Sequence, residues 1–326
     1  MSGRHDVVVV GAGPAGACHA LAAARAGASV LLVGPPARHR RHTVELLTAG
    51  AHDAVAGLGV VGLPARPCAG VLASWGGAVV DKPALRTPGG AGWIVDRTAL
   101  DPALVAAAVS AGCTWVPAKA QGVERDGGAW RVRVGGEWRR ADRVVLATGR
   151  TARLPRLGIT REVTHRMTAL TGWVDARLPG LGDRLHVTAA PGGWWYAIGC
   201  GAGTALGLCT DTDLLRTVDR FAWAGHRVDT WHRSATTART TGPAPPGVAV
   251  IGDAALAADP LSGQGLALAV EGAVLAADDP TGYPDWLARA TAAHAAGARA
   301  VYSAAGLDGP FWRRRAGGRP SVAGSA

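Results

Sequence analysis

At 326 residues, with 48% apolar side chains, the chain is long enough for one large or two interleaved domains around a substantial core. Its formal charge of +10 is carried almost wholly by arginine, Lys82 and Lys119 being the only lysines. No Lys/Arg run is interleaved with aromatics, which excludes a nucleic-acid platform and leaves a GC-rich coding bias or an acidic partner protein as the source of the charge. The five cysteines are scattered, with no C-x-x-C spacing, which excludes a disulfide framework or a zinc site. With no apolar stretch long enough to span a bilayer and no signal peptide, the expectation is a cytoplasmic protein without a metal.

In chain order, residues 6–34 read as a strand, a glycine turn, a helix and a second strand. Val7, Val8, Val9 and Val10 form an apolar strand. Gly11, Gly13 and Gly16 then supply G-x-G-x-x-G: the tight turn, the close approach to a pyrophosphate and the close helix–strand contact. Phosphates would rest on the helix N-terminus, where free N–H groups and the dipole favour negative charge. The second strand ends at Val33 without the acid that a dinucleotide site places there for the ribose. Gly34-Pro35-Pro36 follows, and then Arg38, His39, Arg40 and Arg41, which either bind phosphate in compensation or form a solvated basic loop. Residues 43–58 have amphipathic helical spacing, with Glu45 near the start.

Residues 64–92 break into short Gly- and Pro-punctuated segments with Trp75 and Lys82, an excursion into a second domain. A helix is expected from Arg97 to the glycine at 112, with Pro102 inside its first turn; Arg97 at its head reaches a flavin or pyrophosphate chain or stays on the surface. Strand-like segments at 114–124 and 130–134 flank the turn Asp126-Gly127-Gly128. Residues 143–149 form a buried parallel strand that breaks at Gly149. The second excursion, 151–242, holds Trp173, Trp194, Trp195, Trp223 and Trp231 among alternating segments that suggest an antiparallel sheet, with a helix near 211–224. These tryptophans are either core or pocket lining, and Trp75, Trp194 and Trp195 are the pocket candidates.

The last returning element, residues 247–272, is an apolar strand ending in Gly252-Asp253, a loop with Asp259-Pro260, and Ser262-Gly263-Gln264-Gly265 opening an apolar helix. A carboxylate at the strand end accepts hydrogen bonds from a polyol chain, and a glycine-rich helix start turns N–H groups toward an anionic ring edge. Those are the needs of a flavin. A further helix over 283–307 and a basic, Gly-rich tail complete the chain.

GAGPAG, DRTALD, ATGR and GDAALAADPLSGQG, in this order, resemble the FAD-dependent oxidoreductases of the aromatic-hydroxylase fold, near the tryptophan halogenases. WGG at Trp75, GAGWIVDRTALD and GGWWYAI further resemble the flavoprotein maturases of quinone-cofactor amine and amino-acid oxidases, which hydroxylate a tryptophan on a partner protein. The resemblance covers residues 5–278. It implies an α/β fold: a Rossmann-like FAD-binding domain (1–63, 93–150, 243–280) interleaved with a smaller α+β substrate domain (64–92, 151–242) built on an antiparallel sheet. A C-terminal helix (281–310) and a basic flexible tail (311–326) would follow.

By the same resemblance Gly11, Gly13 and Gly16 hold the pyrophosphate of FAD, with Arg41, Glu45, Arg97 and Gly149 beside the cofactor chain. Gly252 and Asp253 meet its ribityl or pyrophosphate portion, and Pro260, Ser262, Gly263, Gln264 and Gly265 form the floor under the isoalloxazine. The implied reaction is a monooxygenation: FAD, reduced by NAD(P)H or by external reduced flavin from a reductase, forms a C4a-hydroperoxide that hydroxylates a tryptophan-like ring on a small molecule or on a partner protein or peptide. Pro260, Ser262 and Lys82 are the catalytic candidates, Lys82 as a donor to the peroxide or as a plain surface lysine. Three alternatives stand beside this: a flavin-dependent halogenase, disfavoured because W-x-W-x-I-P is absent from the WWYAI run, a flavin reductase or dehydrogenase of secondary metabolism, and a non-catalytic flavin-binding scaffold.

Overall fold

The computed structural model describes residues 4–37, 39, 42–86, 92–150, 157–215 and 229–316. The chain opens with β1 (Arg4–Val10), α1 (Pro14–Arg25), β2 (Val30–Val33), β3 (Val44–Leu47) and α2 (Ala49–Gly57). It leaves through β4 (Ala65–Pro67), β5 (Gly70–Trp75) and β6 (Ala78–Pro83) and returns in β7 (Trp93–Asp96) and α3 (Arg97–Ser110). β8 (Thr114–Val116), β9 (Ala120–Asp126), β10 (Ala129–Val134) and β11 (Glu137–Leu146) follow. The second excursion holds β12 (Thr160–His165), β13 (Met167–Val174), β14 (Arg184–Ala190), β15 (Gly193–Cys200), β16 (Gly203–Asp211), β17 (Asp229–Ser234) and β18 (Thr237–Thr241). β19 (Val248–Val250), β20 (Leu256–Ala257), α4 (Gly265–Asp278), α5 (Tyr283–Ser303) and α6 (Pro310–Arg313) close the fold.

The expected α/β architecture is present. One sheet runs β8-β2-β1-β11-β10-β9, with β19 beside the C-terminal half of β11. Its β8, β2, β1, β11 and β19 are mutually parallel, and the β9–β10 hairpin is added antiparallel. Parallel strands covered on both faces are apolar throughout, as Val7, Val8, Val9 and Leu32 are, each without accessible surface. The second sheet runs β17-β13-β16-β15-β14-β5-β6 and is antiparallel except between β14 and β5. Its strands come from both excursions. Small sheets β3-β7-β4 and β12-β18-β20 join the two layers.

Four expectations need correction. Residues 43–58 are not one helix: Val44–Leu47 pairs antiparallel with β7, and the helix starts only at Thr48, whose hydroxyl caps Ala51 N–H at 3.3 Å. Residues 114–124 are two strands, because Pro117 stops the first; β8 joins β2, and β9 forms the hairpin with β10. α3 starts at Arg97, which puts Pro102 in its second turn. Finally, residues 311–316 are no flexible tail: Phe311 and Trp312 are the largest apolar anchors of α6, at 0% and 1% exposure, and Arg315 is buried against Asp211 at 2.5 Å. The helix expected near 211–224 begins where β16 is still a strand, and its residues 216–224, with Trp223, lie outside the described residues, as do 317–326.

α1 and α4 pack together behind the parallel sheet, and His19 of α1 is set there with Nδ1 3.1 Å from the Ala273 carbonyl oxygen. Burial pulls its imidazole down to about 4, against that hydrogen bond. The unfolded chain takes up this proton near 6.5 and the folded one only near 4. Stability is therefore full above pH 6.5 and falls as the pH drops toward 4, by about 3 kcal/mol from this group. Urea midpoints at pH 7 and pH 4.5 should show the loss, and His19→Asn should flatten it; an unchanged pH slope in that variant would refute the assignment.

Candidate functional site

The site begins at the first glycine turn. Gly11 has φ +119°, and a Cβ there would lie 2.1 Å from the Ala147 carbonyl oxygen; one on Gly16 would lie 1.8 Å from the Gly11 carbonyl oxygen. Both glycines are thus demanded by backbone approach within the protein. Gly13 differs, since a Cβ on it meets nothing within 4 Å. Gly13 is also the N-cap of α1, which has no side-chain cap and no acid in its first turn, leaving donors and a positive dipole end toward that open side.

The missing ribose acid has a local cause. A Cβ on Gly34 would meet Ala12 N at 2.5 Å and Ala12 Cβ at 2.9 Å, so the glycine turn itself excludes a side chain there. Gly34 is further held by Trp115, whose Nε1 donates to its carbonyl at 3.0 Å, and donates its own N–H to Val116 O at 3.1 Å. Arg41, with Arg38 and Arg40, lies outside the described residues. His39 is turned inward, Nε2 3.0 Å from Asp101 Oδ2.

Contacts run from this turn to the distant GD and GQG segments. Gly252, φ +59°, lets β19 close on α1: a Cβ there would be 2.6 Å from Ala15 Cβ. Asp253 follows, its carboxyl held above the usual range by burial, against the pull of Arg150 Nε at 3.3 Å. Arg150 NH1 donates to Thr236 O at 3.0 Å and Ala258 O at 2.9 Å, and Arg161 donates to the carbonyls of Arg150, Asp253 and Ala254 at 2.8 to 3.1 Å. A Cβ on Gly265 would lie 3.9 Å from Arg150 NH2, at the head of α4, whose N-cap Gln264 also makes no side-chain cap. Gly149, φ +76°, opens onto free space, and the buried Thr148 hydroxyl has no partner among the described residues.

Arg150 and Arg161 were not singled out by the sequence reading. The ATGR string held Arg150, but its reach to Asp253 and the α4 start depends on packing across more than 100 residues.

Arg97 is committed inside the protein: Nε and NH2 clasp Asp101 at 2.5 and 2.9 Å, and NH1 donates to Glu45 at 2.9 Å. Burial lowers its pKa, and the two carboxylates outweigh it. Glu45 lies on β3, not at a helix start. Two of the five guanidinium protons take no part in these bonds among the described residues. Beside this cluster a cleft of about 330 Å³ opens between His42, Thr98, Trp173 and Asp175.

The aromatic candidates part company. Trp194 is buried on β15 and shares a face with Tyr196 and Ile198, at alternate positions of the strand; Trp195 points the other way. Trp75 packs edge-on against Trp312, 5.4 Å between centroids, and donates to Val301 O at 2.8 Å. Lys82 is exposed on β6, the edge strand of the second sheet. Ser262 braces its own loop: its hydroxyl donates to Asp259 O at 2.8 Å and accepts Gln264 N–H at 3.2 Å. Pro260 opens that short helical turn.

A family model for pyridine nucleotide-disulphide oxidoreductases matches residues 5–187. The chain belongs to this family. It is an FAD-dependent oxidoreductase. Among curated proteins, LodB of Marinomonas mediterranea, a candidate FAD-dependent oxidoreductase, is 25% identical over 317 residues, covering 82% of each chain. Among solved structures, the peptidyl tryptophan dihydroxylase QhpG, essential for tryptophylquinone cofactor biogenesis, superposes with a TM-score of 0.76 at 24% identity over 97% of this chain and 79% of its own. The flavin-dependent halogenase CmlS gives 0.81 at 21% identity over 97% and 68%. Both likenesses show the fold.

The residues fit FAD. The open side of Gly13, the uncapped heads of α1 and α4, and the unpartnered Thr148 hydroxyl lie along one line of contacts that ends at Asp253 and Gly265. Among the described residues no helix is long and apolar enough to cross a membrane.

Proposed function

We propose that this oxidoreductase is a monooxygenase that hydroxylates a tryptophan-like aromatic ring carried on a partner peptide or protein. One observation carries the reading: Asp259, in the loop that leads into α4, is joined through the Tyr302 hydroxyl at 3.0 Å to Trp194 Nε1 at 3.3 Å, on the sheet strand that also holds Tyr196. Bound and reduced, by NAD(P)H or by external reduced flavin, FAD supplies the electrons that activate O2 toward an aromatic ring. The α1 N-terminus holds the pyrophosphate, Asp253 accepts from the ribityl hydroxyls, and the α4 N-terminus with Arg150 favours negative charge on the reduced ring. Trp194 and Tyr196, packed with Tyr302, Phe311 and Trp312, exclude water from this side of the site. Burial pushes the Tyr196 phenol up, so it stays a neutral hydrogen-bond donor. This reading assigns Lys82, exposed on the edge strand, no role.

A halogenase is the second reading, and the favouring observation is that Trp194, Tyr196 and Ile198 share one face at the spacing of W-x-W-x-I, with Tyr in place of the second Trp and Gly199 in place of Pro. Purified protein supplied with FAD should be yellow. With reductant, O2 and a tryptophan-containing peptide it should add one or two oxygen atoms by mass. Chlorine or bromine uptake in the presence of halide selects the halogenase, and a substrate change without O2 consumption rejects both.

A further inference from the structure

The C-terminal helices reach the flavin loop from behind, through buried polar contacts. Tyr302, near the end of α5, is 3% exposed and donates its hydroxyl to Asp259, 3.0 Å from each carboxylate oxygen. The same phenol oxygen accepts from Trp194 Nε1 at 3.3 Å. His294, about two turns earlier on α5, accepts the Asp259 N–H through Nε2 at 2.9 Å.

Asp259 in turn organises the loop. Its Oδ1 accepts Leu261 N–H at 3.0 Å, and its carbonyl accepts Ser262 N–H at 3.1 Å. Gly263, φ +62°, then turns the chain into Gln264 and the uncapped head of α4. One carboxylate, 2% exposed, therefore ties together α5, the turn that aims the α4 N–H groups, and, by way of the phenol, the tryptophan of the substrate sheet. A carboxylate this deep needs every donor it has. Burial and the neighbouring Asp259 hold the Tyr302 hydroxyl far above its ordinary range, so it never gives up the proton it donates. Phe311, Trp312 and Arg315 pack around its ring, which keeps the phenol in place.

We propose that Tyr302 is a positioning residue: through Asp259 it shares out the negative charge behind the 260–263 turn and aims the α4 N-terminus at the flavin ring, and through Trp194 it couples that turn to the substrate wall. This rests on the reading of the α4 start as the ring end of the FAD site. Without the phenol, the charge of Asp259 faces the α4 head less neutralised, which opposes an anionic reduced ring. With Asp259 made neutral, the opposition disappears.

The experiment compares the whole protein with Tyr302→Phe and Asp259→Asn, measuring affinity for oxidised and for reduced FAD and the reduction potential against a reference dye. Tyr302→Phe keeps the ring packing; it should bind oxidised FAD within about threefold of the parent and reduced FAD at least fivefold more weakly, with a lowered potential. Asp259→Asn, which keeps acceptors for Leu261 and Tyr302, should shift the reduced-FAD affinity in the opposite direction. A purely structural tyrosine would weaken both redox forms equally, and that result overturns the proposal, as does an unchanged potential in both variants. If Tyr302→Phe does not fold, Asp259→Asn alone decides by the sign of its shift. A parent protein that takes up no FAD overturns the cofactor assignment as well, and so is distinguished from failure of the Tyr302 link alone.

Discussion

Gly13→Ala is expected to yield a stable protein that has lost much of its FAD affinity, whereas Gly16→Ala, three residues on, should not fold. The two glycines belong to one fingerprint but face different things. A methyl on Gly16 would stand 1.8 Å from the Gly11 carbonyl oxygen, between backbone groups that cannot yield. Such overpacking consumes a large part of a net stability of about 5–15 kcal/mol. A methyl on Gly13 meets no protein atom within 4 Å and intrudes only on the side where the pyrophosphate would lie. A crowding cost of about 1–3 kcal/mol there corresponds to roughly 5- to 150-fold in Kd. Urea melts and equilibrium dialysis with FAD separate the two effects. If Gly13→Ala binds FAD within twofold of the parent, the pyrophosphate does not lie on the head of α1.

Arg97→Ala should cost the fold about 3–5 kcal/mol, because it strands a buried charge. Asp101 is 3% exposed; burial works to raise its pKa, and the hydrogen bonds from His39 and Arg97 overcome it and hold the carboxyl below its usual range. That contribution is present above the unfolded carboxylate pKa and disappears as the pH falls through the folded one. The destabilisation in Arg97→Ala should therefore be largest near neutrality and shrink in acid. Arg97→Lys should rescue little, since an ammonium cannot clasp Asp101 with two parallel bonds while reaching Glu45. Replacing the pair together, as Arg97→Met with Asp101→Leu, removes the stranded charge and should recover most of the loss. Denaturant midpoints from pH 7 down to about pH 3, below the unfolded carboxylate pKa, test this, and a single variant as stable as the parent at pH 7 would contradict it.

The half of the site that we read as the cofactor's was legible in the chain because its requirements are local. Gly11, Gly13 and Gly16 are spaced by one turn, and Gly252-Asp253 and Gly263-Gln264-Gly265 each punctuate a strand end or a helix start. Arg97 was found at the head of its helix, where α3 starts, but Glu45 was placed wrongly: a 3.6-residue spacing over 43–58 concealed a strand, because pairing with β7 outweighs local propensity in so short a segment. The absent acid after Val33 looked like a defect until Ala12 was seen to occupy its space. Arg150, Arg161, Tyr302 and His294 carried no local signal, since each acts on a partner 11 to 108 residues away.

By itself, then, the amino-acid sequence determined the dinucleotide turn, the flavin-type return segment, the α/β class and the antiparallel sheet, since glycine backbone freedom, helix dipoles and side-chain alternation act within a few residues. Only the tertiary structure decided that the C-terminal segment folds inward with Phe311, Trp312 and Arg315, that Lys82 stays at the sheet edge, and that Trp194 rather than Trp195 packs beneath the C-terminal helices. Those outcomes depend on which apolar faces meet and which buried charges find partners, and these are settled only when distant strands and helices come together.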